Sequence, residues 1–281
     1  MSVADVVGLL LRVSALATVF ALGLRASAGE VAFLLRKPQL LARSLLAMYV
    51  LTPLIAVPLV LTFKAPLAVE IAVLLMTIAA GAPALPKKLL QLGANEPYVY
   101  SLAVITALLA IVTVPLSLAV LSAFFERNAS VPAGQVASVI MMGFIAPLLA
   151  GMVVGRVWPA LAERIGEPLI TTAGIILLAL LLLNVGSNFS AIVGIGLTAF
   201  VLIGVMTVAA LAVGHVLGGP DPNDRTTLAL ACASRFPAIG VLVASLNFPN
   251  AKPMPLVAAY AIASTLAVIP YMRWRRARRE L

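Results

Sequence analysis

Cysteine, histidine and charge are all scarce in this chain of 281 residues, and each scarcity excludes something. Its one cysteine, Cys232, cannot close an internal disulfide, and its place inside an apolar run makes it a packing residue. One histidine, His215, and no HExxH pattern leave no convergent acid, base or metal set, so a membrane enzyme has little to be built from. Charged residues make up only 10% of the chain, against about 25% in soluble domains. What is present instead is apolar: 63% of the residues, in runs of about 20 with little alternation. That pattern argues for spanning helices and against an outer-membrane barrel. The expected fold class is an all-α polytopic membrane protein.

The net charge of +9 does not point to nucleic acid, because the basic residues are not gathered on a soluble segment. Nine apolar segments can be separated: Val3 to Leu24, Leu40 to Leu61, Leu67 to Ala82, Tyr98 to Ala123, Gly134 to Gly155, Leu169 to Gly186, Ala191 to Leu217, Thr226 to Leu246 and Pro255 to Tyr271. With the C-terminus in the cytoplasm and the N-terminus outside, fourteen of the 19 basic residues fall inside. Only Lys64, Arg127 and Lys252 fall outside, and Arg12 and Arg235 lie within spans. The positive-inside rule favours this topology, and the expected location is a bacterial inner (plasma) membrane. Met1 to Arg12 lacks an early basic cluster, so the first run reads as a retained helix, although Ala26 to Ala28 imitates a cleavage site. The chain reads as a single membrane domain over 1–281, with halves of about 1–128 and 129–272 and a basic cytoplasmic tail at 273–281. The tail, RWRRARRE, reads first as a topology anchor and second as a patch for anionic lipid headgroups.

Proline and glycine interrupt two spans: AAGAPALPKK at Ala79 to Lys88, and ASRFPAIG at Ala233 to Gly240. In the second, Arg235 sits beside Pro237. A charge at mid-membrane costs about 2.5 to 3.5 kcal/mol on insertion scales, and proline frees carbonyl groups that hydrocarbon cannot satisfy. The two residues together describe an interrupted helix facing a polar cavity. The interruptions fall in the third and eighth crossings, which run in opposite directions, as in an inverted repeat whose broken helices build the substrate site. The count leaves four helices in the first half and five in the second, so one helix is missing at the N-terminus. Lys87 and Lys88 lie about 30 Å from the start of their span, at its cytoplasmic edge, where a surface position competes with a place at the interruption.

FALGLRAS with LLRKP at Phe20 to Pro38, TPLIA at Thr52, AVEIAVLLM at Ala68, FIAPLLAGMVVGRV at Phe144 and RTTLALACASRFPAIGVLVA at Arg225 resemble, in order and spacing, the bile acid:sodium symporter family. The resemblance covers nearly the whole chain. It implies ten helices, or nine when the first is missing, arranged as a panel and a core with two crossed discontinuous helices. It also implies secondary transport of bile acids or other organic anions, driven by two sodium ions beside the crossing. The chain departs from the family at the ion sites. Where the family reads Gly-Gly-Thr-Ala-Ser-Asn, a register through Ser101 places Pro83 to Lys88, so Lys87 and Lys88 replace the Ser-Asn pair. Where the family has a glutamate and then Gln-Asn four residues on, this chain has Ala231, Arg235 and Phe236.

Sodium needs oxygen ligands, and lysine and arginine offer only donors. No metal or other cofactor is expected, and sodium is not expected at the family positions. A fixed guanidinium can stand in for the ion and pair with an anionic substrate, while a buried lysine can carry a proton. The expected function is sodium-independent transport of a small organic anion across the lipid bilayer. The candidate substrate-binding residues are Arg235, Lys87, Lys88, Pro83, Pro86, Ser234, Phe236 and Pro237. The alternatives are a sodium- or proton-coupled symporter and a non-transporting receptor or scaffold on a transporter fold.

Other polar residues read as structural. His215 at the end of a span favours a structural role over a proton relay. Asn184, Ser187 and Asn188 favour a tight turn over an outer vestibule. Thr106 and Thr113 can bond back to their own helix. Glu70 is an outer-edge charge that can be imagined beside Arg12.

Overall fold

A computed structural model describes residues 3–63, 67–79, 95–124, 130–235, 237–247 and 253–278. Among them the chain is almost wholly helical, and none belongs to a strand. The principal helices are α1 (Val3–Arg25), α2 (Pro38–Phe63), α3 (Leu67–Ile78), α4 (Glu96–Phe124), α5 (Ala133–Val157), α6 (Pro159–Ser187), α7 (Leu197–Leu217), α8 (Pro222–Ala233), α9 (Pro237–Asn247) and α10 (Pro253–Ala277). Seven of these, all but α3, α8 and α9, are long and apolar enough to cross a membrane. Of the two crossings in which the sequence reading expects an interruption, the described parts are α3 for the first and α8 with α9 for the second; beyond Ala79 the first interruption lies outside the described residues.

Several boundaries differ from the sequence reading for local reasons. Helix α6 starts at Pro159 rather than Leu169, because proline suits the first helical position and the charges that look like a loop lie along its exposed side. One of them, Glu167, pairs with Arg25 at 2.6 Å. The segment expected from Ala191 is divided at Gly196, whose φ of 89° turns the chain between a short helix, Phe189–Gly194, and α7. Helix α10 runs past Tyr271 through most of the basic stretch to Ala277.

Prolines inside spans are accommodated by widening. Pro53 and Pro147 each follow a π-type turn, Leu46–Leu51 in α2 and Met141–Ile145 in α5. The extra residue in the turn relieves the clash of the proline ring with the preceding turn. Thr52 then binds the Ala47 carbonyl with its backbone N–H and with its hydroxyl, the latter at 2.6 Å.

Two groups of contacts organise the bundle. Helix α1 lies along α5 and α6. Its approach to α5 is backbone on backbone: a Cβ added at Gly151 would lie 2.2 Å from the Phe20 carbonyl oxygen, and one at Gly155 2.3 Å from that of Leu24. Small residues allow such contact where lipid gives helices little other reason to associate. Helix α7 packs against α8, α10 and α2. Gly214 and Gly218 let α8 lie on α7, since a Cβ at either would come within 2.5 Å of Ala229 or Arg225. The result encloses α8, in which every residue from Thr226 to Ala233 is buried.

A buried unpaired arginine at an interrupted helix

The sequence ASRFP breaks the helix for a backbone reason. Proline has no N–H and disfavours helical geometry in the residue before it, so α8 stops short of Pro237 and α9 starts there. Helix α8 opens at Asp221, whose carboxylate accepts the Asn223 N–H at 2.7 Å, with Pro222 at the first helical position. It closes at Ser234, which is extended (φ −92°, ψ 143°) and donates its N–H to the carbonyls of Leu230 and Ala231 at 3.0 and 3.2 Å. Twelve residues at about 1.5 Å each make α8 about 18 Å long, shorter than an apolar layer about 30 Å thick.

Arg235 lies just beyond that inner end and is 5% exposed. Its Nε and Nη1 atoms are buried and have no hydrogen-bond partner. The only ion pair among the described residues is Arg25 with Glu167, so no carboxylate there neutralises Arg235. The C-terminal carbonyls of α8 supply a partial negative charge, which favours a cation at that position but falls short of a full counter-charge. The guanidinium acts electrostatically on the Tyr49 hydroxyl and the Cys232 thiol. Tyr49 stands on the widened turn of α2 and donates to the Thr106 carbonyl of α4 at 2.9 Å. Thr106 and Thr113 bond back to their own helix, Thr106 to Leu102 at 2.8 Å and Thr113 to Leu109 at 3.0 Å. The described elements packed with α8, whose inner end Arg235 follows, include the α2 turn and α4. They offer hydroxyl and amide dipoles, and the Nε and Nη1 donors of Arg235 itself are unused.

Ala231 is 1% exposed and packs with Met48, Tyr98, Leu228 and Cys232, so an apolar cluster fills the position where the resemblance implies a glutamate. Ser234 is half-buried beside Arg235. Pro83, Pro86, Lys87, Lys88 and Phe236 lie outside the described residues, and of Pro237 only the backbone is described. Tyr49 carries no sequence signal of its own; the TP pair at Thr52 and Pro53 is the nearest one, since a proline within a span demands some local adjustment.

The outer end of α8 is the opposite of its inner end. Asp224 is 7% exposed and accepts from Asn95, the residue before α4, at 2.9 Å. It precedes the apolar part of the segment, and burial raises its carboxyl above the usual range, partly offset by the Asn95 hydrogen bond. Arg275 of α10 is also buried. Its Nε donates to Thr226 Oγ1 at 2.8 Å and its Nη2 to the Pro222 carbonyl at 2.6 Å.

Of the other polar residues, some are engaged locally, while the Tyr100 hydroxyl and the Asn184 Oδ1 are buried without a hydrogen-bond partner among the described residues. His215 Nδ1 is 2.9 Å from the Tyr271 hydroxyl, and its ring meets Tyr271 and Trp274 edge-on. Asn188 binds the Asn184 carbonyl through its backbone N–H and its side-chain amide, both at 3.0 Å, closing α6. Cys232 is buried and free. Glu70 and Arg12 form no ion pair among the described residues.

The sequence model of the Sodium Bile acid symporter family matches residues 15–195, from the second half of α1 through α6 to just before α7. No curated protein matches the chain.

Proposed function

The chain belongs to the sodium bile acid symporter family, and from that premise we propose that it is a secondary transporter of small organic anions that does not use sodium at the usual sites. It works by alternating access, and its substrate is of the bile-acid or carboxylate type. The observation that carries this reading is the buried Arg235 guanidinium with two unpartnered nitrogens at the inner end of α8.

A buried cation without a partner carries a desolvation cost that a bound anion would offset. Arginine offers only donors, so it suits a carboxylate and repels a metal ion. Its charge also takes the place of one that a bound sodium would bring. In this reading Arg235 anchors the substrate and Lys87 or Lys88 assists, while Pro83, Pro86, Ser234, Phe236 and Pro237 shape the surrounding cavity. The chain crosses the membrane nine times with its C-terminus in the cytoplasm, and it carries out transport rather than catalysis.

The test is tracer uptake of a panel of organic acids by the reconstituted protein in sodium, in potassium and with a proton gradient. Uptake of a carboxylate in potassium, lost in Arg235→Ala, is the expected result. Uptake that strictly requires sodium would overturn the coupling assignment, and full uptake by Arg235→Ala would overturn the anchor. Stimulation by the proton gradient would assign the coupling to a proton.

A further inference from the structure

We propose that the ends of α7 and α10 at the arginine-rich face form a binding site for an anionic phospholipid, with Arg278 and Trp274 receiving its headgroup. The proposal stands apart from the transport reading, since it concerns a surface away from the interruption at Arg235.

Three observations converge there. The first is an aromatic floor. His215 of α7 and Trp274 of α10 have ring centroids 5.3 Å apart, and Tyr271 lies 5.7 Å from Trp274 and is tied to His215 by the 2.9 Å hydrogen bond. The second is a division of labour among the arginines. Arg275 is buried and its donors are used on Thr226 and Pro222. Arg225 directs its Nε to the Gly219 carbonyl at 2.6 Å. Arg278, by contrast, is exposed, stands over the Trp274 ring at 4.9 Å, and forms no ion pair among the described residues. All three arginines act on the His215 ring, so their positive fields add at one place. The third is apolar surface leading to it: Val208 and Val216 on α7 are 54% and 77% exposed, and Leu266 and Trp274 on α10 are 61% and 40% exposed.

A topology anchor needs only net positive charge. A cation held on an indole at the head of two exposed apolar stripes matches the amphipathic outline of a lipid instead: acyl chains along α7 and α10, and a phosphate at the guanidinium. A free phosphate would have no use for the stripes, so the charge and the exposed apolar surface together favour a lipid.

Trp158 and Trp274 are the only tryptophans, so Trp158→Phe leaves Trp274 as the sole reporter. This variant is reconstituted in phosphatidylcholine vesicles containing a small fraction of either brominated phosphatidylglycerol or brominated phosphatidylcholine. The site predicts stronger quenching of Trp274 by the anionic lipid, with enrichment of about fivefold for the arginine engaged. Arg278→Gln should abolish the preference, and Arg276→Gln, which removes the same charge from another side of α10, should leave it. Equal quenching by the two lipids would overturn the site. Equal loss in the two variants would reduce the effect to net surface charge and would overturn it as well. Added inorganic phosphate should not release the quenching; release would identify a phosphate site rather than a lipid site and would also overturn the proposal.

Discussion

Replacing Arg235 by methionine should move stability and transport in opposite directions. The substitution keeps an unbranched apolar stem and removes the guanidinium with its charge. Replacing buried ions by apolar residues of similar volume is commonly neutral or stabilising by about 1 to 4 kcal/mol. Arg235 has two buried nitrogens without partners, so the empty protein should fall on the stabilised side. At about 2 °C per kcal/mol, a value at the lower end for chains of this size, the thermal midpoint in detergent without substrate should rise by about 2 to 8 °C. The bound state loses a charge-assisted hydrogen bond worth about 1.5 to 3 kcal/mol, which weakens anion affinity by about 10- to 150-fold. Arg235→Lys, which keeps the charge and loses the planar fork, should fall between the two in uptake. The measurements are thermal unfolding of purified protein and tracer uptake in vesicles. A lowered midpoint together with lost uptake would mean that Arg235 supports the fold, and the inference from its unused donors would fail.

Two further substitutions address the frame around the site. Gly151→Ala would place a methyl group 2.2 Å from the Phe20 carbonyl and 2.9 Å from the Gly23 Cα, forcing α1 and α5 apart at a cost of about 1 to 3 kcal/mol. Its melting point should fall by several degrees, while that of Gly8→Ala, with nothing within 4 Å of the added atom, should not. Asp224→Asn tests the buried carboxyl at the start of α8. Because the folded-state value is raised above the unfolded one, the folded protein holds this proton more tightly. Its contribution to stability is therefore fully present below the unfolded value of about 3.9 and is lost as pH rises through the folded value. The wild type should gain on Asp224→Asn in thermal midpoint as pH falls from 7 toward about 4, and parallel curves would show that the carboxyl does not titrate between those limits.

What is legible in the sequence follows from cost. Arg235 and Pro237 are expensive inside an apolar run, so the interruption announces itself in the order of residues alone, as do the apolar spans. Tyr49 does not. A widened turn at Leu46–Leu51 is spelled LAMYVL, as apolar as its neighbours, and only Pro53 after it hints at the adjustment. The start of α6 is hidden for the opposite reason: Glu163, Arg164 and Glu167 resemble a loop in one dimension, whereas on a helix their side chains reach past its edge. Gly151 and Gly155 pass as ordinary members of an apolar run because their effect is an absence, the missing Cβ that lets α1 approach. Arg275 is indistinguishable in composition from Arg273 and Arg276. Only its direction on α10, toward Thr226 and Pro222, separates a buried strut from exposed charges.

The two ends of α8 explain why a charge with no counter-charge among the described residues can persist in its setting. At the outer end every observed feature ties the helix down: Asp221 caps it, Asn95 holds Asp224, and Arg275 spans to Thr226 and the Pro222 carbonyl. Along its length Gly214 and Gly218 bring it into backbone contact with α7, and burial from Thr226 to Ala233 leaves it little room to turn. A helix so enclosed does not need apolar residues on a lipid face, which is why a segment as polar at its start as PNDRTTLALACA can be buried within the bundle. The polar satisfaction is concentrated at one end and the unsatisfied donors at the other. An arginine on a loose segment would swing to the interface or toward a carbonyl and cancel its own charge. Mounted beyond the end of a helix held this firmly, Arg235 keeps its Nε and Nη1 donors unpartnered in the interior, the condition that the proposed binding of an anion requires.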